Sequence, residues 1–342
     1  MSSAYIYLVP ILVAFFLAFN MGGSGTSPSF SAVYGANLIR KEYIAGLFGV
    51  FVLFGALLAG GKVLNTIGGA IIPSEEMNLV TVSILMLASA FSILFANLLN
   101  VPQSTSQSTI FALAGCGLYL SRLQTGKLFL EIIPLWFILP VLSFIFTYIL
   151  GRLLLNLKAS SRLPDFYSAR QRPFWVLLTL ALSCYVAFSI GSNNVANAAG
   201  PIAVMMLNEL SIGGGSDDII ISLIAVLLVA PWFGIGSSVL GGRVLQTTGK
   251  EIINIGPMGA ALIALVTATL LLLSSTLRGI PASLVQMNTF AIIALGVVKG
   301  SRSDFSSRKT IIRLTATWLS APVLAFCLAL VLMALADWLD LI

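Results

Sequence analysis

The feature that most constrains this chain is the length of its uninterrupted apolar runs. Ile219 to Leu240, Ala260 to Leu273 and Leu319 to Leu335 contain no charged residue. A helix needs about 20 such residues to cross the hydrocarbon core of a bilayer. The runs are continuous, without the alternation at every second residue that a membrane barrel requires. In lipid the backbone must satisfy its own hydrogen bonds, which leaves helices. Charge agrees: only 9% of the 342 residues are charged and 58% are hydrophobic, whereas a soluble domain carries about a quarter charged. Lipid is therefore the expected solvent, and the expected fold class is an all-α polytopic membrane protein.

About twelve apolar segments are expected, near 4–20, 27–39, 43–60, 79–98, 104–120 and 128–155, then 174–190, 195–208, 218–242, 256–277, 283–298 and 311–339. Four of them, 27–39, 104–120, 195–208 and 283–298, are short or polar at one end. They predict broken or re-entrant helices at the midplane. The N-terminus lacks a basic region and a cleavage site, so Tyr5 to Phe19 reads as a retained first span. Residues 156–172 form a basic linker (Lys158, Arg162, Arg170 and Arg172 against Asp165). The positive-inside rule puts it in the cytoplasm, together with the loop at 299–313. Both termini are then expected outside a bacterial-type inner membrane. The formal charge of +6 is loop charge of this kind, and nucleic acid is not an expected partner.

Three stretches recur in order. Gly60 to Gly68 (GGKVLNTIG) matches Gly241 to Gly249 (GGRVLQTTG), and Val101 to Gln107 (VPQSTSQ) matches Ile280 to Gln286 (IPASLVQ). Phe19 to Ser29 corresponds more loosely to Phe188 to Ala198. The expected organisation is membrane repeat 1 (1–155), the linker (156–172) and membrane repeat 2 (173–342). Duplication with interrupted helices at equivalent places points to two inverted-topology repeats around a site at their interface. Small residues that recur for close helix packing are the plainer alternative.

Polar groups concentrate at these places. Asn193, Asn194 and Asn197 interrupt an apolar region, and unpaired amides in hydrocarbon must face a partner or a cavity. The matching first-half segment supplies Ser24, Thr26 and Ser27 beside three glycines, with Pro28 fitting the first turn of a helix. Ser104, Thr105, Ser106 and Gln107, and Ser283 and Gln286, each open a short apolar helix after a proline. Unpaired N–H groups and about half a positive charge make such helix starts sites for an oxyanion. As many as four of them could converge on one anion.

With these motifs in place, the chain resembles the inorganic phosphate transporter (PiT) family over nearly its whole length. The family's G-A-N-D-V-A-N-A signature stands here as Gly191 to Ala198, its G-G-x-V-x-x-T-I motif as the two glycine–basic–valine stretches, and its P-V-S-T-T-H motif as Pro102 to Gln107 and Pro281 to Gln286. The resemblance implies that short helices hold an anion, with Asn193, Asn194, Asn197, Ser104, Thr105, Ser106 and Ser283 as ligands. The departures are chemical. The signature aspartate is Asn194, Gly22 to Gly25 has no carboxylate, and both motif histidines are glutamines, Gln107 and Gln286. Hydrogen phosphate carries a proton that a carboxylate can accept. Sulfate carries none and favours neutral donors. This set resembles the CysP-type sulfate permeases, a branch within the family. Sulfate is the expected substrate, with phosphate as the alternative and an anion channel behind it.

Loss of the carboxylates weakens the case for Na⁺ without removing it, and no proton carrier stands out, so the coupling ion is H⁺ or Na⁺. Glu42, Glu75, Glu76, Glu131, Glu209 and Glu251 lie at segment edges and read as solvated ends; Lys62 and Arg243 read as snorkelling cations. Cys116, Cys184 and Cys327 read as buried packing. No histidine, paired carboxylate or H-E-x-x-H arrangement is present, so neither a metal site, a cofactor nor an enzyme is expected. The expected partners are the oxyanion and the lipid bilayer, with a homodimer left open.

Overall fold

The computed structural model describes residues 3–35, 38–99, 103–159, 173–212, 214–253, 257–300 and 308–342. Among them every regular element is helical: α1 Ser3–Gly35, α2 Lys41–Ala59, α3 Gly61–Asn65, α4 Leu79–Leu98, α5 Thr105–Tyr119, α6 Ile133–Ala159, α7 Pro173–Asn194, α8 Ala196–Leu210, α9 Ser216–Val229, α10 Pro231–Ile253, α11 Pro257–Leu273, α12 Leu284–Lys299 and α13 Arg308–Trp338. Among the described residues, eight helical stretches are long and apolar enough to cross a membrane. Their outer faces carry bare side chains such as Leu58 (75% exposed), Leu130 (79%) and Phe137 (72%), which only lipid can cover at low cost. This is a multi-pass membrane protein.

The packing interleaves the two halves. First-half α1 lies along second-half α10, and second-half α7 lies along first-half α2. The same exchange joins α5 to α13 and α12 to α6. Glycines set the closest approaches. A Cβ on Gly22 would strike the Phe233 carbonyl, and one on Gly191 the Val52 carbonyl. Gly236 meets Phe19, and Gly55 meets Phe188, in the same way. Under the Phe19-to-Phe188 and Gly60-to-Gly241 matches these four contacts form equivalent pairs. We expect Gly191→Val to drive α2 and α7 apart and to lower the thermal midpoint in detergent sharply. Gly46→Ala, where a Cβ meets nothing within 4 Å, should leave it unchanged or slightly raised, since alanine favours helix by about 1 kcal/mol.

One of the four expected breaks is not a break. The segment at 4–20 and residues 27–35 of the next are one helix, α1, with Pro28 inside it and not in a first turn. The polar residues do not open it because they bond within it. Ser24, Thr26 and Ser29 donate to the carbonyls of Met21, Gly22 and Gly25. Opening the helix in a bundle would strand backbone groups that water cannot reach. The break before 195–208 is a single turn residue: Asn193 and Asn194 end α7, and Val195 separates them from the short helix α8. The cluster is therefore not at a free helix start. The short helices α5 and α12 are as expected.

Of the linker at 156–172, residues 156–159 continue α6 and 160–172 lie outside the described residues. Residues 301–307 of the second basic loop, and the side chains of Arg243 and Glu251, lie outside them too. Glu42, Glu75, Glu131, Glu209 and Lys62 are exposed, as solvated ends should be, and Glu76 pairs with Arg122 at 3.3 Å. Cys116 and Cys184 are buried, but Cys327 on α13 is exposed. A thiol is apolar enough to face lipid, so an apolar helix does not determine which way it points.

Candidate oxyanion pocket

The motif Ser-x-x-Gln builds both short helices in the same manner. Ser104 caps α5 with its Oγ accepting from the Gln107 N–H at 3.3 Å, and Ser283 caps α12 with its Oγ accepting from the Gln286 N–H at 3.3 Å. A capping-box glutamine ordinarily reaches back to its own cap. Here the two glutamines reach each other. Gln107 Nε2 donates to Gln286 Oε1 (3.2 Å), and Gln286 Nε2 donates to Gln107 Oε1 (3.3 Å). This reciprocal amide pair ties the two helix starts together across the halves. The first N–H groups of each helix, at Thr105 and Ser106 and at Leu284 and Val285, have no carbonyl within their own helix to bond.

Between these starts lies a small, half-open hollow, with about 290 Å³ of empty space when the solvent at its mouth is counted. Its walls are Ser24, Gly25 and Pro28 of α1, Gln103, Ser104 and Thr105 at the start of α5, Ile190 and Asn194 of α7, and residues 282–285 at the start of α12. No wall residue bears a formal charge. The Ser104 and Ser283 hydroxyls accept from their caps' N–H groups, so their protons are available to the hollow. Thr105 Oγ1 accepts from Asn194 Nδ2 at 3.1 Å and has its proton to give as well. Together with two helix N-termini, each worth about half a positive charge, the lining favours an anion that needs donors.

Asn193 has a different place. It is fully buried behind the pocket and uses its whole amide. Its Oδ1 accepts from Ser106 Oγ (3.2 Å) and from the Ala282 N–H (3.1 Å); its Nδ2 donates to Ser275 Oγ (2.9 Å) and to the Ile280 carbonyl (3.3 Å). One side chain thus holds α5 and the strand of chain entering α12. Trp136 Nε1 clamps the same loop through the Pro281 carbonyl at 2.9 Å. The loop begins at Gly279, whose φ of +63° and close contact with the Lys62 carbonyl admit no side chain.

Of the sequence-derived candidates, the fold brings Ser24, Ser104, Thr105, Asn194 and Ser283 to the pocket wall. Ser106, Gln107, Gln286 and Asn193 stand behind the wall as its scaffold. Thr26 faces α10, bonding Ser237 Oγ at 2.7 Å, and Ser27 is buried in α1 away from the hollow. Asn197 is buried in α8, and neither amide atom has a partner. Sequence reasoning missed Pro28 and Gln103 as wall residues. Gln103 had a signal: it is polar where the family motif has valine.

The fold and its charge-free pocket define a membrane permease. A solved structure, described as the sodium-dependent phosphate transporter, matches with a TM-score of 0.85 over 98% of this chain and 99% of that chain, at 22% identity. The sulfate permease CysP of Bacillus subtilis (strain 168) is 32% identical over 329 residues, which is 96% of this chain and 87% of that protein. The pattern of the phosphate transporter family matches residues 21–329. This chain belongs to the phosphate transporter family.

Proposed function

We propose that the chain is a secondary active permease for a fully ionised oxyanion, with sulfate as its substrate. The supporting observation is the pocket itself: two serine-capped helix starts and free hydroxyl protons, with no carboxylate on the wall to repel a dianion. The likeness to the CysP permease is in keeping with it. Residues 1–155 and 173–342 act as inverted repeats that alternate access to the pocket, with both termini outside the inner membrane. The driving ion is H⁺ or Na⁺. The test is uptake of labelled sulfate by the purified protein in liposomes, with Na⁺ and pH gradients imposed independently. Saturable uptake is expected, displaced by thiosulfate, selenate and molybdate and driven by one of the two gradients. Displacement by phosphate alone would establish the second reading, an inorganic phosphate carrier, which the family's name favours. Flux linear in substrate would indicate a channel.

A further inference from the structure

The two serine-capped helices sit in separate arms. Helix α5 packs with α4 and α13, and α12 packs with α6 and α11. Among the described residues no helix of one arm lies along a helix of the other, and hydrogen bonds and ring contacts join the arms at two places. The first is the reciprocal Gln107–Gln286 pair. The second lies one turn further along α5, where the Phe111 ring stacks on Trp136 of α6 with centroids 6.2 Å apart and planes 23° from parallel.

Each of these residues has a counterpart in the other half. Gln107 corresponds to Gln286, so Phe111 corresponds to Phe290, four residues on. A further internal match, Trp136 to Phe144 (WFILPVLSF) against Trp318 to Phe326 (WLSAPVLAF), pairs Trp136 with Trp318. Two equivalent residues that bond each other straddle the axis relating the halves. The Gln107–Gln286 pair therefore lies on it, and the Phe111–Trp136 contact lies to one side. For inverted repeats that axis runs in the membrane plane, so its two sides are the two faces of the membrane. On the other side the symmetry is broken, because Phe290 stacks on no ring among the described residues.

We propose that Phe111–Trp136 and Phe290–Trp318 are alternate gates, ring pairs that close opposite faces of the pocket in turn. This rests on the alternating-access reading above and names the contacts that change. The structure is closed on the Phe111 side. The opposite state follows by exchanging the conformations of the halves: Phe111 leaves Trp136 and Phe290 meets Trp318, while the axial amide pair stays as the pivot. One ring pair biases an equilibrium only about twofold to tenfold, little enough to be exchanged in every cycle.

The test is the distance between spin labels beside each ring pair, in the full-length protein in liposomes. The exposed Cys327 is replaced (C327S); Cys116 and Cys184 are buried. L118C/F137C reports the Phe111 side and V297C/L319C, at the equivalent positions, reports the other. All four positions are exposed and none lines the pocket. Without ligand the first distance is expected short and the second long. Saturating sulfate on both sides should add a population with the order reversed. F290A should shrink that population about twofold to tenfold, and F111A should enlarge it by a similar factor. The proposal is overturned if the two distances move together, or if neither moves while the same liposomes take up sulfate. Lack of saturable sulfate uptake would instead sink the sulfate assignment, and the same labels read with phosphate then decide the gates. Should the labelled variants not fold, a reducible thiol crosslink between F290C and W318C decides: uptake should stop until the link is reduced, and uptake through the intact link overturns the proposal.

Discussion

Asn193→Ala is expected to lower the stability of the unliganded protein and to abolish oxyanion binding in the same step. The wild-type amide makes four hydrogen bonds at a fully buried position, to Ser106, Ser275, Ile280 and Ala282. Alanine strands the Ser106 hydroxyl and the Ala282 N–H where little water can replace the amide, whereas the Ile280 carbonyl still accepts from Ser274 and Ser275 still donates to the Leu271 carbonyl. Each stranded buried group costs about 1–3 kcal/mol, and neighbours relax to recover part of it, so a net loss of roughly 2–4 kcal/mol follows. Asn193→Asp keeps acceptors for Ser106 and the Ala282 N–H but sets a carboxylate against the Ile280 carbonyl, so it should retain only part of the stability. Thermal unfolding in detergent without ligand, read beside sulfate affinity, separates two roles. A residue that positions the loops lowers both. A variant that keeps its unliganded midpoint and loses affinity alone would show Asn193 to be a direct ligand.

Asn194→Asp should act on affinity, with only a small effect on folding. Asn194 stands half-buried on the pocket wall with its Nδ2 on Thr105 Oγ1. An aspartate there is ionised near neutral pH. At a separation of about 6 Å and an effective dielectric constant of about 20, each unit of charge on the anion adds about 3 kcal/mol of repulsion, so a dianion feels about 5 kcal/mol before salt screens it. Sulfate binding should fall by more than a hundredfold. The bound dianion raises the pKa of the new carboxyl, so protonation and binding favour one another. Affinity should therefore recover as pH falls, whereas the wild-type pocket, with no titratable wall residue, shows no such recovery. Unchanged sulfate affinity in a variant demonstrably ionised at this position would remove the anion from this pocket.

The extent to which the site was legible in the sequence follows from the kind of force involved. Ser104, Thr105 and Ser283 could be placed because a serine three residues before a glutamine at the head of an apolar run is a local signal. It needs only the geometry of the first helical turn. Asn194 was legible as an amide that hydrocarbon would not tolerate unpaired. Asn193, one residue away in the same amide cluster, has the opposite orientation. Which of the two faces the hollow and which braces it depends on where α5 and the loop before α12 come to lie. Thr26 looked like a ligand and is a strut against Ser237 for the same reason. The continuity of α1 was hidden because glycine, serine and proline read as helix breakers in water, but in a bundle they permit close contact with α10.

Apolar run length and charge scarcity by themselves determined that this chain lies in lipid as a set of helices, because the bilayer acts on every residue through local transfer free energy and backbone satisfaction. The internal matches likewise announced paired short helices. Only the tertiary structure decided which polar groups converge. The Gln107–Gln286 pair and the Asn193 brace join residues 82 to 179 positions apart, and hydrogen-bond direction is set by contact, not by sequence spacing.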